Sequence, residues 1–345
     1  MNKLGQSCTA AVLMIGTVLA AGAAPANAAG AADFYKGRTV SLVIGYSVGG
    51  GYDLYAREVA RFLGKHIPGN PTIVPQNMPG AGSLKSVMYL YAAAPKDGSV
   101  IGTFGRTEAV APLLTPDEAK FDATKLGWLG SVTSETSTCV TWKTSKIKTW
   151  NDALTTPFTL AGEGAGADPD VFARLIKNVF GAKVKLVSGY PGTNDQSLAM
   201  ERGEVDGECG LSWGTLKSRH ADWLRDKSVN IFIQAALKKE PELPDVTFIM
   251  DLAKTQEQQQ ILKLVLSGQT MARPFAAPPG VPADRLAVLR KAFDDTMKDP
   301  DFLAETKRAR MDINPISGQE IDTLLHEVYA SPKGVVDRAE HAISD

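Results

Sequence analysis

The chain has 345 residues, of which 44% are hydrophobic and 22% charged, with a formal net charge of -1 at pH 7. These are globular values, and the length suggests about two domains of ~150 residues, with ample chain to bury a core. A near-neutral balance supplies no basic footprint, which argues against nucleic acid as a partner.

Asn2 and Lys3 make a weak basic start, Thr9 to Ala24 is an uncharged Ala/Val/Leu-rich run, and Ala26-Asn27-Ala28 fits the small-x-small rule of a cleavage site. Residues 1–28 are therefore expected to be a signal peptide, cleaved after Ala28, that exports the protein to the periplasm. The run is short and Ala-rich for a stable membrane span, and no later uncharged apolar run approaches ~20 residues. Cys8 lies before the apolar run, the wrong side for a lipoprotein cysteine. Cleavage leaves Cys139 and Cys209, which an oxidising compartment would allow either to pair or to remain buried thiols.

The mature part opens with Thr39 to Ile44, a β-branched run that reads as a buried strand. A glycine loop, Gly45 to Gly51, follows. Asp53 then stands where an N-cap is expected, ahead of Tyr55, Val59, Phe62 and Leu63 at helical spacing. The theme recurs: strand Thr72–Val74, loop Gln76–Gly82, helix Leu84–Ala94 ended by Pro95, then strand Val100–Phe104. A second unit is expected to start near Trp128–Val132. In it, strand Phe158–Leu160 leads into Gly162–Gly166 and a helix Asp170–Phe180. Strand Val184–Val187, loop Gly189–Gly192, helix Asp195–Glu201 and strand Val205–Cys209 follow. Lys254–Gln260 reads as a solvated helix. Pro278–Pro282 stops the chain before helices at Ala283–Met297, Asp301–Ala309 and Gly318–Tyr329. Strands alternating with helices predict mainly parallel pairing, with sites at the strand carboxyl ends.

Gly49-Gly50-Gly51 before a helix is suited to an anion, because glycines let consecutive N–H groups converge where the helix dipole is positive. Asp53 would consume one or two of those donors while ordering the loop. The segment has neither a spaced G-x-G-x-x-G nor a G-K-[ST] ending, which argues against nucleotides. Asn77–Gly82 (with Ser83 placed to cap the next helix), Gly162–Asp168 and Gly189–Asn194 repeat the device. Four glycine-bearing loops, two per unit, predict two lobes facing across a cleft.

Several of these segments resemble the substrate-binding proteins of tripartite tricarboxylate transporters, the Bug-type receptors. Val48-Gly-Gly-Gly-Tyr-Asp53 is similar to their P-G-G-G-T-D loop, Asn77-Met-Pro-Gly-Ala-Gly82 to N-R-P-G-A-G, and Ala94-Pro-Lys-Asp-Gly98 to A-P-D-G. Gly189-Tyr-Pro-Gly192 resembles P-Y-K-G, Gly203-Glu-Val-Asp206 resembles G-G-x-V-D, and Phe275–Pro282 resembles F-A-P-A-G-T-P, in order over nearly the whole mature chain. The resemblance implies a two-lobed α/β fold of the type II periplasmic-binding-protein kind, each lobe a mixed sheet flanked by helices. Lobe I is expected from 29–130 plus 246–345 and lobe II from 131–245. It further implies a monomer without cofactor or catalysis, which closes on a small carboxylate and delivers it to membrane permease subunits.

By that resemblance, backbone and ordered water at Ser47, Val48, Gly49, Gly50, Gly51, Tyr52 and Asp53 hold one carboxylate, together with Asn77, Pro79, Gly80, Ala81 and Gly82. Glu163, Gly164, Ala165, Gly166, Ala167 and Asp168, with Tyr190, Gly192 and Thr193, read the rest of the ligand. Phe104, Glu208 and Trp213 complete the candidate lining. The sequence departs from the pattern at Val48, Tyr52 and Met78, the last removing a cationic side chain. Glu163, Asp168 and Asp170 crowd a loop that is Ser/Gly/Thr-rich in the family, where a ligand carboxylate would be repelled by several kcal/mol at low dielectric. The far end of the ligand is therefore expected to be neutral or cationic, or to carry a metal ion.

Gly210-Leu-Ser212-Trp-Gly214 also fits the G-x-S-x-G elbow of α/β-hydrolases, with His220, His326 or His341 and Asp222, Asp251 or Asp322 as partners. The polar segment Val205–Cys209 argues against it, being an unlikely central strand for such a sheet, and no His precedes the glycine run. No cysteine or histidine spacing suggests a resident metal. A ligand-presenting sensor would use the same fold.

Overall fold

The computed structural model describes residue 30 and residues 33–164 and 166–344. The expected signal peptide and Ala165 lie outside the described residues.

Eleven strands among the described residues form two sheets. β1 (Thr39–Ile44), β2 (Thr72–Asn77), β3 (Val100–Thr103) and β4 (Gly127–Ser131) begin the first. β5 (Ser137–Trp142), β6 (Phe158–Ala161), β7 (Val184–Val187), β8 (Gly207–Ser212) and β9 (Val229–Ala235) make the second. β10 (Pro274–Ala277) and β11 (Ile316–Ser317) return to the first. The orders are β11-β4-β10-β3-β1-β2 and β7-β6-β8-β5-β9. Each lobe is thus one mixed sheet flanked by helices. β1 runs parallel to β2 and β3, while β10 is antiparallel to β3 and β4. β6 runs parallel to β7 and β8, while β5 is antiparallel to β8 and β9. The expectation of mainly parallel pairing fails because chain segments that cross from one lobe to the other enter each sheet head to tail.

The helix after the first loop, Gly51–His66, buries Tyr55, Ala56, Val59, Ala60, Phe62 and Leu63 along one stripe against the first sheet and helix Ala283–Thr296. Trp128–Val132, read as the start of the second unit, is β4, an inner strand of the first sheet with Trp128 and Leu129 fully buried. Phe275–Ala277, the opening of the segment that resembles F-A-P-A-G-T-P, belongs to β10. Pro274 opens that strand, where a missing N–H costs least.

Two helices that the sequence division assigns to lobe I pack instead on the core of the second sheet. Gln256–Val265 contributes Ile261, Leu262, Leu264 and Val265, and Lys333–Ile343 contributes Val335, Ala339, Ala342 and Ile343. Both lie against Phe158, Leu160, Val171, Phe172 and Leu175 in one cluster. The polar run Lys254–Gln260 conceals this, because the apolar stripe begins only at Ile261. Among the described residues no helix is long and apolar enough to cross a membrane.

Candidate functional site

The carboxyl ends of β1, β2 and β3 in one lobe face those of β6 and β8 in the other, and their loops interlock. Ser47 Oγ donates to Asp195 Oδ2 across the cleft at 2.7 Å. Gly82 has φ +61° and lies so close to Ala167 that an added Cβ would overlap the alanine methyl. Gly164 rests on the backbone of Ala81, Gly192 on Ser47, and Gly50 on Thr193. A side chain at Gly82 would hold the lobes apart, so the glycine permits closure rather than merely a turn.

The two glycine loops are ordered from within by the same device. Helices Gly51–His66 and Asp168–Phe180 each carry an aspartate as their third residue, Asp53 and Asp170. Gly49 N–H donates to Asp53 Oδ2 at 3.0 Å, and Glu163 N–H and Gly164 N–H donate to Asp170 Oδ2 at 2.6 and 2.9 Å. Asp53 is thus not the N-cap, a position that Gly50 holds; its carboxylate folds back to the loop. Burial pushes the Asp53 carboxyl up, but hydrogen bonds from Arg57, Asn77 and Gly49 outweigh it and hold it below its ordinary value. Asp170 shows the opposite balance: burial outweighs its hydrogen bonds from Gly164, Ser188 and Glu163 and raises it. Donors expected to face a ligand carboxylate are therefore spent on the protein's own.

Between the loops lies a cavity of about 20 Å³, lined by Tyr46, Tyr52, Glu163, Asp168, Pro169, Thr193, Glu208, Cys209, Gly210 and Leu211. Tyr46 and Tyr52 stack with ring centroids 4.4 Å apart, and the Tyr52 hydroxyl accepts from Arg106 N–H at 3.0 Å. Gln196 Nε2 donates to Glu163 Oε1 at 2.6 Å, and Ser197 Oγ donates to Glu208 Oε1 at 3.2 Å. Burial, reinforced by Asp168, Asp170 and Glu208, pushes the Glu163 carboxyl well above the usual range; burial alone lifts Glu208 to about 8. The Cys139–Cys209 disulfide, left open by the sequence, is formed and ties β5 to β8 beside Glu208.

Two buried arginines fasten the lobes. Arg106, just after β3, pairs with Asp168 and with Glu135 at 3.3 Å, and donates to Ser137 Oγ at 2.6 Å and Gly210 O at 3.3 Å. Arg273, just before β10, pairs with Glu135 at 3.0 Å and donates to Ser212 Oγ at 2.8 Å and Thr215 Oγ1 at 3.1 Å. Its guanidinium also lies 4.3 Å from the Tyr52 ring, on which Tyr46 stacks. Sequence reasoning missed Tyr46, Arg106, Glu135 and Arg273. A lone arginine after a strand is a faint signal, and its partners are distant in the chain.

Of the candidate lining, Tyr52, Glu163, Asp168, Thr193 and Glu208 reach the cavity. Asn77 acts one layer out, donating from Nδ2 to Asp53 Oδ1 at 2.8 Å and to Tyr46 O at 2.9 Å. Ser47, Ala81, Gly82, Gly164, Ala167 and Gly192 form the seam between the lobes, and Gly51 approaches Thr215 and Arg273. The remainder lie elsewhere. Val48 is exposed, Gly80 packs on Lys85, and Gly166 faces Thr115 and Ala111. Tyr190 leans on the second-lobe core, and Phe104 is buried edge-on against Trp128 in the first. Trp213 points away, its Nε1 donating to Glu242 at 2.6 Å beside a separate groove. Pro79 is in none of the contacts that build the cavity or seam. Ser83 does not cap its helix. It has φ +84°, and its Oγ accepts from Gly105 N–H at 2.8 Å.

The hydrolase reading fails on geometry. Ser212 ends β8 and caps helix Trp213–Arg219, accepting from Thr215 N–H at 3.2 Å. Its hydroxyl partners are Thr215 and Arg273, a cation rather than a base, and no catalytic triad is assembled among the described residues. The objection that its strand is too polar to be central was itself mistaken. β8 is the middle strand of the second sheet, and its polar Glu208 is turned to the cavity. Among the described residues no group of three or more His, Cys, Asp and Glu is arranged to hold a metal ion.

Two α/β lobes, each a mixed sheet flanked by helices, closing strand-end loops on a polar cavity, constitute the type II periplasmic-binding-protein fold. Solved structures agree. The periplasmic binding protein BugD superposes with a TM-score of 0.72 at 18% identity, over 89% of this chain and 98% of that one. MatC (Rpa3494) from Rhodopseudomonas palustris with bound malate gives 0.68 at 20% identity, over 89% and 99%. R. palustris Rpa4515 with adipate gives 0.68 at 18% identity, over 88% and 97%. In sequence, the chain is 27% identical over 222 residues to the UPF0065 protein in the TAR-I ttuE-ttuC' intergenic region of Agrobacterium vitis. That match spans 63% of this chain and 62% of the relative, less than two thirds of its length. No protein-family model matches the chain.

Proposed function

We propose that the protein is a periplasmic solute-binding protein that captures a small carboxylate-bearing organic solute between its lobes. In this reading it delivers the solute to the membrane subunits of a tripartite tricarboxylate-type transporter and catalyses nothing. The observation that carries the reading is the interlocked seam around a polar cavity, with Gly82 against Ala167 and Ser47 bonded to Asp195. A protein that must sequester a solute and then release it needs two rigid lobes whose contacts form only on closure. The likeness to structures solved with malate and adipate supports a carboxylate-bearing solute, and the amino-terminal segment supports export. Thermal-shift screening of protein lacking residues 1–28 tests this. A ligand at 100 times its Kd stabilises by about 2.7 kcal/mol. If no small solute from carboxylate, amino-acid, amine and sugar panels raises the melting temperature, the reading falls.

A further inference from the structure

The cavity's chemistry does not match a carboxylate. Glu163, Asp168 and Glu208 all line it and all are buried. The hydrogen-bond partners of Glu163 and Glu208 are neutral, Gln196 and Ser197. Arg106 reaches only Asp168 of the three, and it shares its charge with Glu135. Asp168 Oδ1, on a residue 4% exposed, has no hydrogen-bond partner among the described residues. An acceptor buried in this way is costly unless a donor arrives.

Donor chemistry points the same way: a primary ammonium offers three N–H donors to these acceptors, whereas a carboxylate offers none. A cation arriving there also favours the ionised forms of Glu163 and Glu208, which burial disfavours.

We propose that this cavity, walled by Glu163, Asp168 and Glu208 from one lobe and Tyr46 and Tyr52 from the other, receives a primary ammonium group of the captured solute. This rests on the solute-binding reading and narrows it: the solute is an amine or an amino acid, and any carboxylate it carries lies outside this cavity. Three N–H donors pointing into three carboxyls supply the missing partner of Asp168. Because the tyrosines come from the opposite lobe, the head group is enclosed only when the lobes meet.

The test is calorimetric titration of protein lacking residues 1–28 with chain-matched series of two to six carbons. The series are α,ω-diamines, ω-amino acids, dicarboxylates and the common α-amino acids. The expected result is that the best amine-bearing probe binds at least tenfold more tightly than the dicarboxylate of equal length. Glu163→Gln and Glu208→Gln should each weaken that probe at least tenfold. Dicarboxylates binding more tightly than every amine-bearing probe would overturn the ammonium proposal and leave the solute-binding reading standing. Amine binding that is indifferent to both substitutions would do the same. Binding by no member of any series overturns the ammonium proposal, and the solute-binding reading falls with it if the wider thermal-shift panels are also silent. The wild-type comparison decides even if a variant does not fold.

Discussion

Replacing Glu208 with glutamine keeps the acceptor that Ser197 Oγ addresses and removes only the titration. Burial raises this carboxyl from an ordinary 4.5 to about 8, so the folded protein holds a proton that the unfolded chain has already released. Stability is therefore fully present below pH 4.5 and is lost as pH rises toward 8. The loss runs at about 1.4 kcal/mol per pH unit and reaches at most about 5 kcal/mol. In a chain of this size 1 kcal/mol moves the melting temperature by roughly 2 °C. Unliganded Glu208→Gln should therefore gain on the wild type by on the order of 10 °C between pH 5 and pH 8. Taking the difference between the two proteins cancels most of what other groups contribute. Glu163 and Glu108, both raised by burial, act in the same direction in each protein. Asp299, held at about 2, adds a loss only at strongly acid pH. The assay is differential scanning calorimetry at pH 5, 6, 7 and 8. A constant offset between wild type and variant would show that Glu208 is already ionised when folded, and the reasoning from burial would be refuted.

Gly82→Ala forces a left-handed alanine, at about 1–2 kcal/mol, and puts its methyl on that of Ala167. It should enlarge the radius of gyration in small-angle scattering and weaken ligand binding at least tenfold; a compact variant with unchanged affinity would contradict the closure role. Arg106→Met leaves Asp168 without its cation and should cost about 3–5 kcal/mol, lowering the urea midpoint by at least ~1 M. Reduction of Cys139–Cys209, which closes a loop with a sequence separation of 70, should cost about 4 kcal/mol in chain entropy and lower the melting temperature under dithiothreitol.

The strand, glycine loop and helix at residues 39–66 were legible because each element carries its own local pattern. Thr39–Ile44 is β-branched, the loop is glycine, and the helix repeats an apolar stripe. The same holds for Val184–Val187 and for Gly318–Tyr329, the latter opened by the Ser317–Glu320 capping box. β5 was missed because its buried residues include Ser137 and Thr138, whose polarity is satisfied by partners far along the chain. Thr138 Oγ1, for example, donates to Leu211 O at 2.8 Å. At the site, loop positions were readable and side-chain roles were not. Glycine spacing located the seam, but whether Asp53 and Asp170 faced a ligand or their own loops depends on how each carboxyl turns. Arg106 and Arg273 take their meaning from Asp168, Glu135 and Ser212, which no local window contains.

The helix Lys333–Ile343 has a consequence for how the protein is made. The second lobe's sheet is finished at Ala235, yet its core lacks Val335, Ala339, Ala342 and Ile343 until about a hundred further residues have been added. In between, the chain completes the first sheet with β10 and β11. Neither lobe can then mature as an independent amino-terminal unit during synthesis: the first sheet waits for β11 at residues 316–317, and the second lobe's core for residue 343. Until then the nascent chain presents an open apolar face on its second sheet, a feature that a holding chaperone can recognise.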